Sequence, residues 1–330
     1  MSIRILLTND DGPPRPHESP FVLGFYRYLT RNLGWSVKVV LPNAQKSWIG
    51  KAHHIHQTTK GWYFYPRDDG QGEIVVQSRP LKDGELAEWI LLDGTPATCA
   101  NIALHNLYPG QIDLVISGPN VGRNTSAAFA LSSGTIGAAL SSSFNIRSIA
   151  LSYGIVKYPT PTEYLEPANV LSCNIIQRLW DNWGKDDGSI RDGEVDLYSV
   201  NIPLVEGLLS DSGLKIRWTS LWRNGYGPLY KHISGAGTLD QKQFMTAGPD
   251  ALVIDGSSPP ARGSRSSEVG DLLFTFSPDL SEILSPTLSI PPVGSDAWAI
   301  HHGWVSVTPL RACFAEPSIK ANDEIWKIKL

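Results

Sequence analysis

The sequence predicts an α/β fold: a three-layer α/β/α, Rossmann-like arrangement around a mainly parallel sheet, with C-terminal hairpin and arm extensions. Two observations support this prediction. Short apolar segments alternate with helical patterns through residues 1–205, and strands separated by helices form βαβ units. After that point the pattern loosens into stretches dense in Gly, Ser and Pro. We therefore expect a core at 1–205 and, at 206–330, extensions that complete a single domain and form an oligomer interface.

Each predicted strand is a short apolar run that ends at a turn residue or a proline. The first, at 3–8, is the run IRILLT, and it stops at an Asn-Asp-Asp-Gly turn. Pro42 and Pro203 are predicted to end the strands that precede them, because proline cannot donate to a strand ladder. The remaining predicted strands are 37–41, 74–77, 89–92, 112–117, 148–152 and 195–202, with β-rich pieces at 272–276 and 303–309.

The predicted helices have recognisable beginnings. Ser19-Pro20 and Thr95-Pro96 each combine an N-cap residue with a proline at the first helical position. They predict helices at 21–32, which Gly34 ends, and at 96–107. Further helices are predicted at 134–143, a run of small residues, and at 163–183, the longest helical pattern.

Composition excludes several classes of protein. Apolar residues make up 42% of the chain and the net charge is −4, so a sizeable core is possible and a bulk electrostatic grip on a nucleic-acid polymer is not expected. The sequence has no apolar run near the ~18 residues of a membrane span. Its three cysteines do not resemble a disulfide framework, and its first apolar run is too short for a secretion signal. We expect a cytoplasmic protein with neither a membrane nor a nucleic-acid polymer as partner.

Adjacent carboxylates at the end of the first predicted strand indicate a cation site. Asp10 and Asp11 repel each other unless a cation or hydrogen bonds hold them. Ligands of open α/β sheets bind at the carboxyl ends of the strands, and hard divalent cations prefer oxygen ligands. The alternative is an ordinary Asp-Gly turn.

Two later segments also follow strand ends. Residues 117–124 read SGPNVGRN, in which the glycines allow close backbone approach and the asparagines offer oxygen ligands or amide donors. Residues 132–135 precede a helix whose first N–H groups are suited to phosphate. The alternatives are a glycine-rich loop and a plain N-cap.

Three histidines suggest zinc as a competing metal. On a strand, His54 and His56 would share a face beside His53. The spacing supplies no third ligand and no cysteine, so a solvated polar edge is the favoured interpretation.

In their order along the chain, these motifs resemble the SurE family of metal-dependent phosphatases and nucleotidases. The resemblance spans residues 3–310. Seven segments carry it: 6–12 (LLTNDDG), 39–47 (VVLPNAQKS), 93–99 (DGTPATC), 117–124 (SGPNVGRN), 133–139 (SGTIGAA), 199–203 (SVNIP) and 305–310 (VSVTPL).

The resemblance implies a role for each matching residue. Four oxygen donors would bind a divalent metal, Mg²⁺ or Mn²⁺: Asp10, Asp11, Ser47 and Asn120. The group around the phosphate would be Asn124, Ser133, Gly134 and Thr135, together with Asn9. The catalytic residues would be Asp10, Asp11 and Asn9. Asp296 matches an acidic position whose role the resemblance leaves open.

The implied activity is hydrolysis of a small-molecule phosphomonoester by water activated at the metal. The substrate would be a nucleoside 5′- or 3′-monophosphate, or a broader set of esters of the acid-phosphatase kind. Asp10 or Asp11 would orient the water or accept its proton. A homodimer or homotetramer, assembled through C-terminal arms, is implied as well. Two alternatives remain: a catalytically silent nucleotide- or phosphate-binding protein on the same fold, and a structural partner protein, suggested by the 11 tryptophans.

The chain also departs from the family pattern at several places. A proline-rich rim, 13–20, replaces a shorter segment, and 257–267 resembles an added loop. Pro119 stands at a usually apolar position, Ser126 where glycine is common, and Thr98 where aspartate is common. None of these removes a proposed metal ligand, so we expect them to affect substrate preference more than activity.

Overall fold

The computed structural model describes residues 2–156, 159–225, 227–232, 273–278 and 290–314. The loop expected at 257–267 lies outside the described residues.

Twelve strands form two sheets among the described residues. The strands are β1 (Arg4–Thr8), β2 (Ser36–Pro42), β3 (Gly61–Pro66), β4 (Gly72–Val75), β5 (Trp89–Leu92), β6 (Leu114–Val121), β7 (Arg147–Ile155), β8 (Leu197–Leu204), β9 (Ile216–Trp218), β10 (Tyr230–His232), β11 (Phe274–Phe276) and β12 (Val305–Leu310). Ten of them form one sheet in the order β4-β3-β5-β2-β1-β6-β7-β8-β12-β9, while β10 and β11 pair separately and antiparallel. From β5 to β8 every neighbouring pair is parallel, which confirms the mainly parallel sheet.

Helices connect the parallel strands, and one more helix precedes β12. In the described part of the chain the helices are α1 (Val22–Arg27), α2 (Pro96–Ile102), α3 (Ser126–Ser132), α4 (Gly134–Ser143), α5 (Leu165–Asp181) and α6 (Asp296–His301). π-helical turns at Tyr28–Asn32 and Ala103–Leu107 extend α1 and α2 to the ends that the sequence predicts. Short 3₁₀ turns lie at Thr162–Tyr164 and Glu206–Leu209. The N-cap at Thr95 is confirmed, because its side chain accepts the Thr98 N–H.

The core lies on both faces of the sheet. Successive side chains of a strand point to opposite faces. On β1, Ile5 and Leu7 therefore join the larger apolar cluster with Phe25 of α1, while Leu6 joins a second cluster with Cys99 of α2. Helix α1 packs with α5, and α2 with α4. The three-layer α/β/α arrangement is confirmed.

The strand predictions are wrong in three details. The aromatic strand β3 is not predicted from the sequence. It is stabilised by antiparallel pairing with β5, which is distant in sequence, and with β4, which lies among turn residues. Strand β6 runs four residues past the predicted end at Ser117. Pro203 does not end β8, since β12 pairs with β8 only as far as Asn201 and leaves that edge free beside the proline.

Residues after 205 contribute to both sheets. Strand β12 inserts between β8 and β9 in the main sheet. Among the described helices, none has the length and apolar character to cross a bilayer.

Candidate active site

The order of the strands creates a crevice at the carboxyl end of β1. Strand β1 lies between β2 and β6. The chain runs from β1 to β2 on one side and later returns to β6 on the other side. Open α/β sheets bind ligands at such a switch point. The loops that follow β1 and β2, and the last residues of β6, therefore meet at one edge of the sheet.

The two adjacent carboxylates at this edge are buried and fixed from different elements. Asp10 is 3% exposed and its Oδ1 accepts the hydroxyl of Thr135, on α4, at 2.5 Å. Asp11 is 2% exposed and its Oδ2 accepts the backbone N–H of Val121, at the end of β6, at 2.9 Å. Both acids therefore lie at the end of β1, where α4 and the end of β6 hold their carboxylates in place, and Asp10 lines the pocket at this edge.

The electrostatics of this pair favour a cation. Burial raises the pKa of Asp10, and burial together with the charge of Asp10 raises the pKa of Asp11 well above its usual range. Among the described residues, neither carboxylate forms an ion pair with Lys or Arg. A positive charge between them would offset both the burial and the mutual repulsion.

Two further residues with side-chain oxygens, Asn120 and Ser47, line a pocket together with Asp10. Asn120 donates from Nδ2 to the Gly122 carbonyl at 2.7 Å, which leaves Oδ1 on the side of Thr135, 3.3 Å from that hydroxyl. Ser47 is exposed at the pocket wall. The pocket is open to solvent, and Asp10, Ser47 and Asn120 all line it.

This donor set fits a hard divalent cation. Two carboxylates, an amide oxygen and a hydroxyl are the ligands that Mg²⁺ and Mn²⁺ prefer. In the described part of the chain, no three His, Cys, Asp or Glu side chains form a cluster suited to a metal. The histidines at 53, 54 and 56 lie on an exposed loop rather than on a strand, so the shared face considered for zinc does not form.

Asn124, one of the residues expected around the phosphate, is held by two strands. Its Nδ2 donates to Ser152 Oγ on β7 at 2.8 Å. Its backbone N–H donates to Asn201 Oδ1 on β8 at 2.7 Å, and Asn201 Nδ2 returns a bond to the Asn124 carbonyl. The sequence reasoning missed Ser152 and Asn201 as positioning residues, although Asn201 lies within one of the matching segments.

The first residues of α4 lie against Asp10 and bind its carboxylate. Ser133 is the N-cap, and its hydroxyl accepts the Ile136 N–H at 3.2 Å. The Thr135 hydroxyl, together with the nearby backbone N–H groups of Thr135 and Gly134, opposes the rise in the pKa of Asp10 that burial causes. A Cβ on Gly134 would lie 2.7 Å from Asp10 Cβ, so glycine permits this approach. Of the predicted phosphate residues, Ser133 and Asn124 line the pocket.

Asn9 is engaged within its own loop. Its Oδ1 accepts the Gly12 N–H at 2.9 Å, and its Nδ2 donates to the Gly12 carbonyl at 3.0 Å and to Ser19 Oγ at 3.3 Å. These bonds shape the turn that carries the two aspartates.

Asp296 acts at a distance from the pocket. It is 1% exposed, and its carboxylate accepts the backbone N–H groups of Ser126, Trp222 and Ala297 at 2.6, 3.0 and 2.8 Å. It thereby fixes the start of α3, which delivers Phe129 to the pocket wall.

Ser126 occupies a backbone conformation that suits glycine. Its φ is +68°, and its buried hydroxyl has no hydrogen-bond partner among the described residues. We expect Ser126→Gly to raise the free energy of unfolding by about 1 kcal/mol, since left-handed φ costs an L-residue roughly that much. Chemical denaturation measures the change. Ser132→Gly, the same exchange at a helical φ in α3, is the control and is expected to lower stability.

Comparison with known protein families identifies the chain. The family model described as Survival protein SurE matches residues 5–228. The chain belongs to the SurE family. This confirms the family that the sequence motifs indicated.

Curated relatives of this SurE chain carry two kinds of name. In an alignment of 337 positions it is 34% identical to the Saccharomyces cerevisiae protein named probable tubulin–tyrosine ligase PBY1, and the match covers 94% of this chain and 41% of that protein. It is 34% identical to proteins named 5′-nucleotidase SurE from Desulforudis audaxviator and Thermofilum pendens, with 46% and 62% of this chain and 50% and 67% of those proteins covered. The chain thus spans between two fifths and two thirds of these relatives' lengths.

The fold has a counterpart among solved structures. The crystal structure of SurE from Aquifex aeolicus superposes with a TM-score of 0.56, at 20% identity, over 94% of each chain. This likeness supports the fold described above.

Proposed function

We propose that this SurE chain is a divalent-metal-dependent phosphomonoester hydrolase that acts on nucleoside monophosphates. The observation that carries the proposal is the buried Asp10–Asp11 pair, of which Asp10 lines a pocket together with Ser47 and Asn120. Several relatives named 5′-nucleotidase support the substrate class.

The proposed metal ligands are Asp10, Asp11, Ser47 and Asn120. When bound there, a divalent cation supplies charge neutralisation for phosphate oxygens and activation of water. Thr135 holds Asp10 by its hydroxyl, and Val121 holds Asp11 by its N–H, so each carboxylate keeps one oxygen on a fixed bond.

The other polar side chains would bind the phosphate, accept a proton from water or position the two acids. Asn124, whose amide is oriented by Ser152, would donate to a phosphate oxygen from the pocket wall beside Ser133. The carboxylate of Asp11, whose pKa burial raises, is suited to accept a proton from the attacking water. Asn9 positions both acids through its turn with Gly12.

Phosphate release tests this function. The purified chain would be assayed with 5′-AMP, 3′-AMP and p-nitrophenyl phosphate in Mg²⁺, in Mn²⁺ and in chelator. We expect the chelator to reduce the rate roughly a thousandfold, because a catalytic cation contributes several kcal/mol at the transition state, and we expect added metal to restore it. Equal rates with and without chelator would contradict the proposal, and absence of release in all conditions would favour the silent binding protein.

We also propose that the chain forms a homodimer or homotetramer. Strands β9, β10 and β11 expose large aromatic side chains: Trp218 is 65%, Tyr230 59% and Phe274 57% exposed. Exposed aromatic surface of this kind is typical of interfaces. Light scattering at micromolar concentration is expected to give twice or four times the chain mass, and a monomer would contradict this.

A further inference from the structure

Trp48 has an unusual backbone conformation immediately beside the proposed metal site. It follows the metal-ligand candidate Ser47 in the loop after β2, and its φ is +64°. A bulky L-residue rarely adopts this left-handed conformation, because its Cβ crowds the backbone. Strained positions of this kind cluster at binding sites, so a function for the indole is the hypothesis to test.

The indole forms an aromatic wall of the pocket. Trp48 and Phe129 both line the pocket that holds Asp10 and Asn120, and their ring centroids lie 5.7 Å apart at 50°. Phe276 of β11 contacts the indole edge-on at 5.6 Å and so supports it from the C-terminal part of the chain. The pocket therefore has an oxygen-rich end and an aromatic side.

We propose that Trp48 is a specificity-determining residue, which packs with Phe129 against the planar aromatic part of the substrate. This inference rests on the proposed function, and it adds that the base of a nucleoside monophosphate contributes to binding beside the phosphate site. Aromatic side chains bind bases through their π-faces largely irrespective of base identity. The wall would thus select nucleotides as a class over sugar phosphates, without strong preference among bases.

A pair of substrates that differ only in the base tests the proposal. The ratio of kcat/KM for 5′-AMP to kcat/KM for ribose 5-phosphate would be measured for the wild type, Trp48→Gly and Phe129→Leu. Glycine suits the φ of +64°, so Trp48→Gly removes the indole and the backbone strain together. Phe144→Ala, which removes an exposed aromatic side chain at the end of α4 opposite the pocket, is the control.

The expected result is a wild-type ratio well above one that falls about tenfold in Trp48→Gly, in line with the loss of one aromatic contact to a base. Phe144→Ala should leave the ratio unchanged. A loss of activity on both substrates alike would overturn the specificity role, as would a wild-type ratio near one. If the wild type hydrolyses neither substrate, the proposed function fails. Calorimetry would then measure the binding of 5′-AMP and ribose 5-phosphate to the wild type and to Trp48→Gly, which tests the aromatic site without turnover. Equal affinities of the wild type for the two compounds, or an affinity for 5′-AMP that Trp48→Gly leaves unchanged, would overturn the aromatic site.

Discussion

Replacing Asp11 with asparagine is expected to lower kcat/KM for 5′-AMP by at least about a thousandfold. The exchange removes a proposed metal ligand and the candidate proton acceptor, and losses of this kind are worth several kcal/mol at the transition state. The side chain keeps its shape, and its amide oxygen can still accept the Val121 N–H that Asp11 Oδ2 accepts at 2.9 Å. The fold should therefore survive.

The same substitution is expected to stabilise the metal-free protein. Asp11 is buried beside Asp10, and both burial and that neighbouring charge raise its pKa. At a pH above the usual pKa of aspartate, an ionised carboxylate that is buried beside a second one destabilises the folded state. A neutral amide avoids this cost. Thermal unfolding with and without Mn²⁺ checks this: metal should raise the Tm of the wild type and have little effect on Asp11→Asn.

Asp93→Asn is the matched control for this prediction. Asp93 is an exposed aspartate that follows β5, at the same edge of the sheet. Its exchange should change neither activity nor the response to metal. Retention of wild-type activity in Asp11→Asn would exclude the proposed role of Asp11, and so would an undiminished Tm shift with Mn²⁺.

Gly118→Ala is expected to destabilise the protein by at least about 3 kcal/mol. The φ of Gly118 is +129°, and a Cβ there would lie 2.1 Å from the carbonyl oxygen of Leu151 on β7. Strand β6 would have to separate from β7 to admit the methyl group. Asn120 lies two residues on, so metal affinity should fall with stability; urea unfolding and calorimetric Mn²⁺ binding measure the two effects.

Gly154→Ala provides the comparison on the adjacent strand. A Cβ at Gly154 would have its nearest neighbour, Arg123 Cβ, at 3.5 Å, an ordinary contact. We expect this variant to lose less than about 1 kcal/mol and to bind Mn²⁺ normally. Equal losses in the two variants would show that the close approach of β6 and β7 does not govern the site.

The position of the site followed from general rules about sheets. The chain order of strands and helices predicted a parallel sheet, and residues at strand ends then placed Asp10, Asp11 and Asn120 at one edge. The structure brings Asp10 and Asn120 together with Ser47 around one pocket. The metal and catalytic roles of these residues stay predictions.

What the sequence reasoning missed depends on contacts between distant segments. Nothing local in the Ser-Gly-Thr motif shows that Thr135 bonds to Asp10, because the two are 125 positions apart. Helix α3, which carries Phe129 at the pocket, is held at its start by Asp296, 170 positions from Ser126. Likewise β12 enters the main sheet by pairing with β8 and β9. Local sequence patterns predict individual strands and helices. Contacts between distant segments depend on how the whole chain folds, so these patterns do not predict them.

Anomalous X-ray scattering from Mn²⁺ in crystals of this protein shows whether a divalent cation binds at the two aspartates. We expect one strong peak in the crevice at the end of β1, within about 2.0–2.3 Å of carboxylate oxygens of Asp10 and Asp11 and facing Ser47 and Asn120. The peak should vanish in Asp11→Asn crystals. A crevice without a peak at saturating Mn²⁺, or a peak on the histidines at 53–56 instead, would contradict a metal site at Asp10 and Asp11.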